Sequence, residues 1–178
     1  MNAAKNLTRS QSVSAETTTI SSTKSPSLDT VELRPPRDSD LNDLVDIDLK
    51  CFATPWEYQD WVTGGPECGI CVATWNSRTL GFAAGRQVIC EPESFRLLKV
   101  GVRKHHRLCG IGSKLMNAMM DYARLRGFDS IHTVLAESLA YECHGWLAKF
   151  GFKATGVTNE AFLNYGTFED AIRFDKQL

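Results

Sequence analysis

Apolar positions along the chain switch between a period of two and a period near 3.6, and the switches mark out its elements. Thr30-Val31-Glu32-Leu33-Arg34 predicts a short strand, stopped by Pro35-Pro36. Asp38 or Ser39 is placed to cap a helix that carries Leu41, Leu44, Val45, Ile47, Asp48 and Cys51 at helical spacing. Thr54 before Pro55 predicts the cap of a second, short helix holding Trp56 and Trp61 and broken by Gly64-Gly65-Pro66. Strands are expected from Ile70 to Trp75 and from Leu80 to Cys90, joined as a hairpin at Asn76-Ser77-Arg78-Thr79, and from Phe95 to Val102. Ile111, Leu115, Ala118 or Met119, Tyr122 and Leu125 then form one helical stripe, ended by Gly127. A strand from Ile131 to Leu135, a helix from Leu139 to Phe150 closed by Gly151, and strands over Phe152 to Val157 and Ala171 to Phe174 complete the order β-α-α-β-β-β-α-β-α-β-β.

The first 30 residues stand apart. They hold 13 Ser or Thr and few large apolar side chains, too little to offset the entropy of ordering them, so residues 1–30 are expected to be a disordered tail and 31–178 one domain. The tail is also poor in acids, which keeps an organelle transit peptide open as an alternative. The chain as a whole is 43% apolar and 23% charged with a formal net charge of −1, which argues against a nucleic-acid partner held by a broad basic surface. No apolar run is long enough for a membrane helix, and no secretion signal opens the chain. The six cysteines therefore suit a reducing cytoplasm rather than a disulfide framework. Cys68-Gly-Ile-Cys71 has no second C-x-x-C to complete a zinc site, and no metal is expected; a zinc-dependent adaptor is the weakest alternative.

Chemistry concentrates between Leu97 and Leu115. A strand ending Val100-Gly101-Val102 runs through Arg103-Lys104-His105-His106-Arg107 into Leu108-Cys109-Gly110-Ile111-Gly112-Ser113-Lys114, where an amphipathic helix opens. A helix N-terminus offers unpaired N–H groups and the positive end of a dipole, and glycines let a phosphate approach the backbone. Arg103, Lys104, Arg107 and Lys114 add positive charge to this stretch. The spacing fits neither a Walker loop nor the dinucleotide fingerprint.

Arg107-x-x-Gly110-x-Gly112, after a strand and before a long helix, resembles the acetyl-CoA loop of the GNAT superfamily of N-acetyltransferases. The likeness runs from about Val31 to the end: Trp146-Leu147-Ala148-Lys149-Phe150-Gly151-Phe152 is similar to that family's closing helix and strand entry, and Glu169-Asp170-Ala171-Ile172 to its last strand. Ile47-Asp48-x-x-Cys51-Phe52-x-x-Pro55-Trp56 is similar to a segment of the ribosomal-protein N-terminal alanine acetyltransferases. The resemblance implies an α/β (α+β) GNAT fold, with a mixed, mostly antiparallel sheet splayed at its middle strands and about four helices. It implies a pantetheine arm on the main chain of Val100, Gly101 and Val102, a pyrophosphate on Leu108, Cys109, Gly110, Ile111, Gly112, Ser113 and Lys114 with Arg107, and acetyl-CoA as co-substrate for direct attack by a primary amine.

The resemblance also exposes departures. The position at which the family places a Tyr that protonates the thiolate reads Leu147; the alanine acetyltransferases' basic Glu counts to Leu135, and a cofactor-binding Asn to Ala140. Glu137, two residues past Leu135 and on the same strand face if the strand continues, is the substitute base; His144, one helical turn before Leu147, is the substitute acid. Tyr141 and Tyr165 are weaker acid candidates, and Trp56, Tyr58 and Trp61 are expected to border the acceptor cleft. The expected activity is acetylation of a protein N-terminus. The alternatives are a small-molecule amine acetyltransferase and a catalytically silent acyl-CoA-binding regulatory domain.

Overall fold

The computed structural model describes residues 26–63, 68–164 and 166–178. Seven strands form one sheet: β1 (Glu32–Arg34), β2 (Cys68–Trp75), β3 (Arg78–Val88), β4 (Glu91–Val102), β5 (Ser130–Ala136), β6 (Lys153–Asn164) and β7 (Thr167–Gln177). Among the described residues four α-helices accompany them: α1 (Leu41–Cys51), α2 (Tyr58–Thr63), α3 (Ile111–Leu125) and α4 (Glu137–Lys149). The strand order is β1-β2-β3-β4-β5-β7-β6, antiparallel except between β4 and β5. This is the mixed, mostly antiparallel α/β arrangement expected, in the expected element order.

Helices cover both faces. Ile111, Leu115, Met116 and Met119 of α3 and Leu147 of α4 pack with Ala83, Phe95, Leu97, Ile131 and Phe174 on one face. Leu44 and Ile47 of α1 and Trp61 of α2 pack with Val72, Phe82 and Ala84 on the other. The alternation within strands enforces the division, since Val72 and Ala73 point to opposite cores. Cys68 and Cys71 are half-buried free thiols, and their spacing of three within β2 turns them to opposite faces.

Several expectations need correction. Residues 28–30, assigned to the tail, form a single-turn 3-10 helix, and Val31 beyond it is 2% exposed in the core; residues 1–25 lie outside the described residues. Neither Asp38 nor Ser39 caps α1; both belong to a 3-10 turn, Asp38–Asp40, that precedes it. The second helix starts at Tyr58 rather than at Pro55, because the Trp56 N–H is taken by Asp48 Oδ2 (2.6 Å) and Asp60 Oδ2 accepts from Glu57 N–H (2.8 Å) at the helix entry. Its Gly64-Gly65-Pro66 breaker lies outside the described residues. Leu125, in the last turn of α3, is exposed, while Met116, Met120 and Ala123 join the buried stripe. The expected connection from Asn159 to Phe168 is mostly strand: β6 and β7 pair as a long hairpin with a register shift between Thr158 and Phe162, and Tyr165 lies outside the described residues. The β2–β3 turn narrows to Asn76 and Ser77, both at positive φ (49° and 63°), as a two-residue hairpin requires.

One polar knot fastens the start of the domain to its centre. Asp40 accepts from both terminal nitrogens of Arg34 (2.6 and 2.8 Å), from Arg37 N–H (2.7 Å) and from Thr79 Oγ1 (3.0 Å). The Arg34 guanidinium, with these further donors, holds the Asp40 carboxyl down at about 2 against the opposing effect of burial. A carboxyl depressed in the folded state stabilises the protein above its unfolded pKa, and that stability is lost as pH falls through the folded value. Urea titrations between pH 5 and pH 2 are therefore expected to show a loss of up to ~2 kcal/mol from this group. Asp40→Asn removes that part of the acid slope and lowers stability at pH 7.

Candidate functional site

The ladder between β4 and β5 holds only three rungs, Ser94↔Ser130, Phe95↔Ile131 and Arg96↔His132. Beyond them β5 stays paired with β7 as far as Ala136, and β4 stays paired with β3 as far as Val102. The strands thus part after Arg96, and β4 keeps a one-sided edge from Leu97 to Val102. The Arg103 N–H donates to Leu80 O on β3 (2.8 Å), so strand alternation turns the main-chain groups of Val102 to the open side. Val102 O there accepts from Arg107 Nε (2.9 Å) and Cys51 Sγ (3.5 Å).

Past Val102 the chain makes a 3-10 turn, Lys104–His106, and enters α3 through two left-handed residues, Leu108 (φ 61°) and Gly110 (φ 85°). Glycine suits the second, and the first leaves the Leu108 side chain fully exposed. The first α3 amide with a helical acceptor is that of Lys114, to Gly110 O (3.0 Å), and no side chain caps the helix. The N–H groups of Ile111, Gly112 and Ser113 are thus left at the helix mouth, beside the open edge of β4. A Cβ on Gly112 would lie 3.8 Å from Trp146 Cζ2 and 3.9 Å from Val102 Cγ2, so this mouth faces the end of β4 and the side of α4. Cys109 Sγ donates to Arg107 O (3.4 Å).

The four cations grouped by the sequence separate here. Arg103 is committed to Asp43 Oδ1 and Asp46 Oδ2 of α1 (both 2.5 Å) and to Thr79 O (2.8 Å). Lys114 points away from the mouth, donating to Leu28 O (3.1 Å) and Val31 O (2.5 Å). Arg107 lies against Val102 O and Cys51 Sγ (3.3 Å), and Lys104 is exposed. The helix mouth is therefore lined by amides and the positive end of a dipole more than by formal charge.

The acid–base candidates are not brought together. β5 ends at Ala136 and Glu137 is the first residue of α4, so the strand face argued for it does not exist; its side chain is exposed at the helix entry. His144 is exposed, with its ring 6.2 Å from that of Phe174, whereas Leu147 is 2% exposed in the core. Glu137 and His144 stand two turns apart, about 10 Å along α4. Tyr141 is 89% exposed.

An unexpected feature stands on the opposite face of β4. Lys99 Nζ lies 2.6 Å from Asp48 Oδ1 and donates to Thr54 O (3.0 Å), with the rings of Phe52 and Trp56 4.8 and 4.9 Å away. Asp48 is fully buried and its other oxygen holds the Trp56 N–H. Burial pushes the Lys99 ammonium down, and Asp48 opposes that shift. The pair staples the α1–α2 connection to β4. Gly101 assists, because a Cβ there would stand 3.0 Å from Phe82 and 3.2 Å from Ile47 and Phe52. The sequence carried the signal: a carboxylate on the apolar stripe of a helix and a lysine inside an apolar strand each require a buried partner. Among the described residues no group of three or more His, Cys, Asp or Glu side chains is disposed to hold a metal ion, and no helix is long and apolar enough to cross a membrane.

The family model described as "Acetyltransferase (GNAT) family" matches residues 39–152. A curated relative, N-acetyltransferase family 8 member 3 of Mus musculus, is 29% identical over 97 residues, which span 52% of this chain and 42% of that protein. The chain thus aligns with less than half of its curated relative's length. The crystal structure of the ribosomal-protein-S18-alanine N-acetyltransferase from Escherichia coli superposes with TM-score 0.72 at 19% identity, covering 83% of this chain and 93% of that one. Arabidopsis thaliana NAA60 in complex with acetyl-CoA superposes with TM-score 0.73 at 19% identity, covering 84% and 99%.

The buried pair makes a direct expectation. Asp48→Asn leaves the Lys99 ammonium without its counter-charge and is expected to destabilise the fold by about 3–5 kcal/mol in urea titration. Trp56 fluorescence is expected to report loosening of the α1–α2 connection before global unfolding.

Proposed function

The chain belongs to the GNAT acetyltransferase family, and we propose that it transfers an acetyl group from acetyl-CoA to a primary amine, with a protein N-terminal α-amine as the favoured acceptor. The observation that carries this is the continuity of two unsatisfied main-chain features. The open edge of β4 runs into a glycine-lined, uncapped helix mouth, so one extended molecule with an amide-bearing arm and a diphosphate meets both. The neighbours in fold include an alanine N-acetyltransferase and a protein solved with acetyl-CoA.

In this reading the amides from Leu108 to Ser113 receive the diphosphate. Of Val100, Gly101 and Val102, the main-chain groups of Val100 and Val102 align the arm while those of Gly101 between them are turned to β3, and one open-side N–H faces the thioester oxygen, where charge develops during attack. Arg107, laid on Val102 O, ties the loop to the strand end. Lys114 acts on the loop through its backbone position, since its ammonium is engaged elsewhere. Glu137 is the proposed base, acting through water, and His144 the proposed proton donor to sulfur.

Acceptor class follows from acid–base arithmetic. At pH 7 about 14% of an α-amine is neutral against about 0.04% of a lysine, a difference of about 3.5 kcal/mol in available nucleophile. A site whose carboxylate and imidazole are both exposed handles the α-amine more easily. A second reading, a silent acyl-CoA-binding domain, is favoured by the buried Leu147 at the position the family gives to a Tyr. Release of free CoA from acetyl-CoA with a panel of N-terminal peptides and amines separates the two: turnover supports the enzyme, and tight binding with silence across the panel supports the second.

Two variants test the assignments. Gly112→Asp has room for its Cβ, so the fold and Tm are expected to hold while acetyl-CoA affinity by calorimetry falls at least tenfold; unchanged affinity removes the loop from the site. Glu137→Gln and His144→Ala are each expected to lower kcat at least tenfold at constant acetyl-CoA affinity. Wild-type kcat in both removes Glu137 and His144 from the proton transfers.

A further inference from the structure

On the face bearing α1 and α2, these helices cover β2, β3 and the late part of β4, and a row of polar side chains continues beyond them. The cross-strand partners Arg86↔Arg96, Arg96↔His132 and His132↔Asp175 set this row across β3, β4, β5 and β7. Its nearby carboxylates are engaged. Arg173 takes Glu91 through two bonds (2.7 and 2.6 Å) and Asp175 (2.9 Å), and Asp175 also accepts from Thr155 Oγ1. His132 Nδ1 is bonded to Ser94 Oγ (2.7 Å).

Arg96 is the exception. Half-buried, it has no hydrogen bond or ion pair with any carboxylate among the described residues, and its nearest charged company includes two further guanidiniums, Arg86 and Arg173. Burial and these like charges press its pKa down, with Glu91 the single opposing influence. A desolvated cation among cations is unfavourable until an anion joins it, and a guanidinium fork matches a carboxylate in two parallel bonds.

Its place in the fold says which anion. Arg96 is on the last rung before β4 and β5 part, four residues before Val100. With Leu98 an extra residue in the register against β3, this stretch matches three residues of β3 and spans about 10 Å. The side chain's reach shortens that gap to two or three residues of an extended peptide. The diphosphate cradle belongs to the α3 side, so an acceptor has this face from which to approach.

Resting on the acetyltransferase reading, we propose that Arg96, backed by Arg86, binds a carboxylate of the acceptor, and that the preferred acceptor is a peptide with an acidic side chain two or three residues from the reacting amine. The site selects against lysine-rich and polyamine acceptors by the same charge.

The test compares C-terminally amidated tetrapeptides with a free α-amine that differ only in Glu or Gln at the second and third positions, titrated by calorimetry into the full chain saturated with CoA. The Glu peptides are expected to bind at least tenfold more tightly, with a preference that shrinks as salt rises. Arg96→Gln is expected to abolish the preference while leaving Tm and CoA affinity in place, and Arg96→Lys to keep part of it. Equal binding of Glu and Gln peptides overturns the proposal, as does an Arg96→Gln variant that weakens both alike or a protein that binds CoA and neither peptide. Failure to bind CoA counts instead against the cofactor loop, and the Glu–Gln comparison is then read on the free protein.

Discussion

A strand interior to a sheet ordinarily satisfies its main chain on both sides, and from Leu97 to Val102 β4 does so on one side only. The divergence is forced by partners: β5 keeps its register with β7 along its whole length, while β4 stays with β3. What remains between them is a cleft whose wall is peptide backbone. Backbone cannot be mutated away, so such a wall tolerates wide change in side chains. This fits a chain that shares 19% identity with its structural neighbours and superposes on them over more than four-fifths of its length.

A half-paired strand must be held from above and below. On one face α3 supplies buried Ile111, Leu115, Met116 and Met119. On the other, paired charge does part of the holding: buried Lys99 with Asp48, and part-exposed Arg103 with Asp43 and Asp46, connect the end of β4 to α1. The Lys99–Asp48 pair is sensitive to the loss of either member, because the survivor stays buried. These pairs fix direction as well as distance, which apolar contacts do less strictly.

Much of this was visible along the chain. Element order follows from the change of period between strands and helices, and the uncapped mouth of α3 from two glycines between an apolar strand and an amphipathic helix. What could not be read was which charges face inward. Arg103 and Lys114 look like Arg107 and Lys104 in a list of basic residues. Only tertiary placement commits the first two to Asp43, Asp46 and the carbonyls of Leu28 and Val31. The strand-face placement of Glu137 does not hold for a local reason, since α4 begins at Glu137 itself, directly after Ala136, and boundaries of that kind shift by a residue or two along any sequence. Both final strands are legible from the sequence, but their extension into a long β6–β7 hairpin is not, because the outer, exposed part carries no apolar alternation.

The contact between the chain's start and α3 has a consequence for where the working unit begins. Leu28 rests over Gly110, and the carbonyls of Leu28 and Val31 hold the Lys114 ammonium, although these residues precede both the first strand and the family match at residue 39. A shortened polypeptide starting at Glu32 would keep every strand of the sheet. It would also free the Lys114 ammonium in the first turn of α3 from the carbonyls that turn it away from the mouth, and uncover the left-handed glycine, so its affinity for anions would describe a different surface from that of the longer chain.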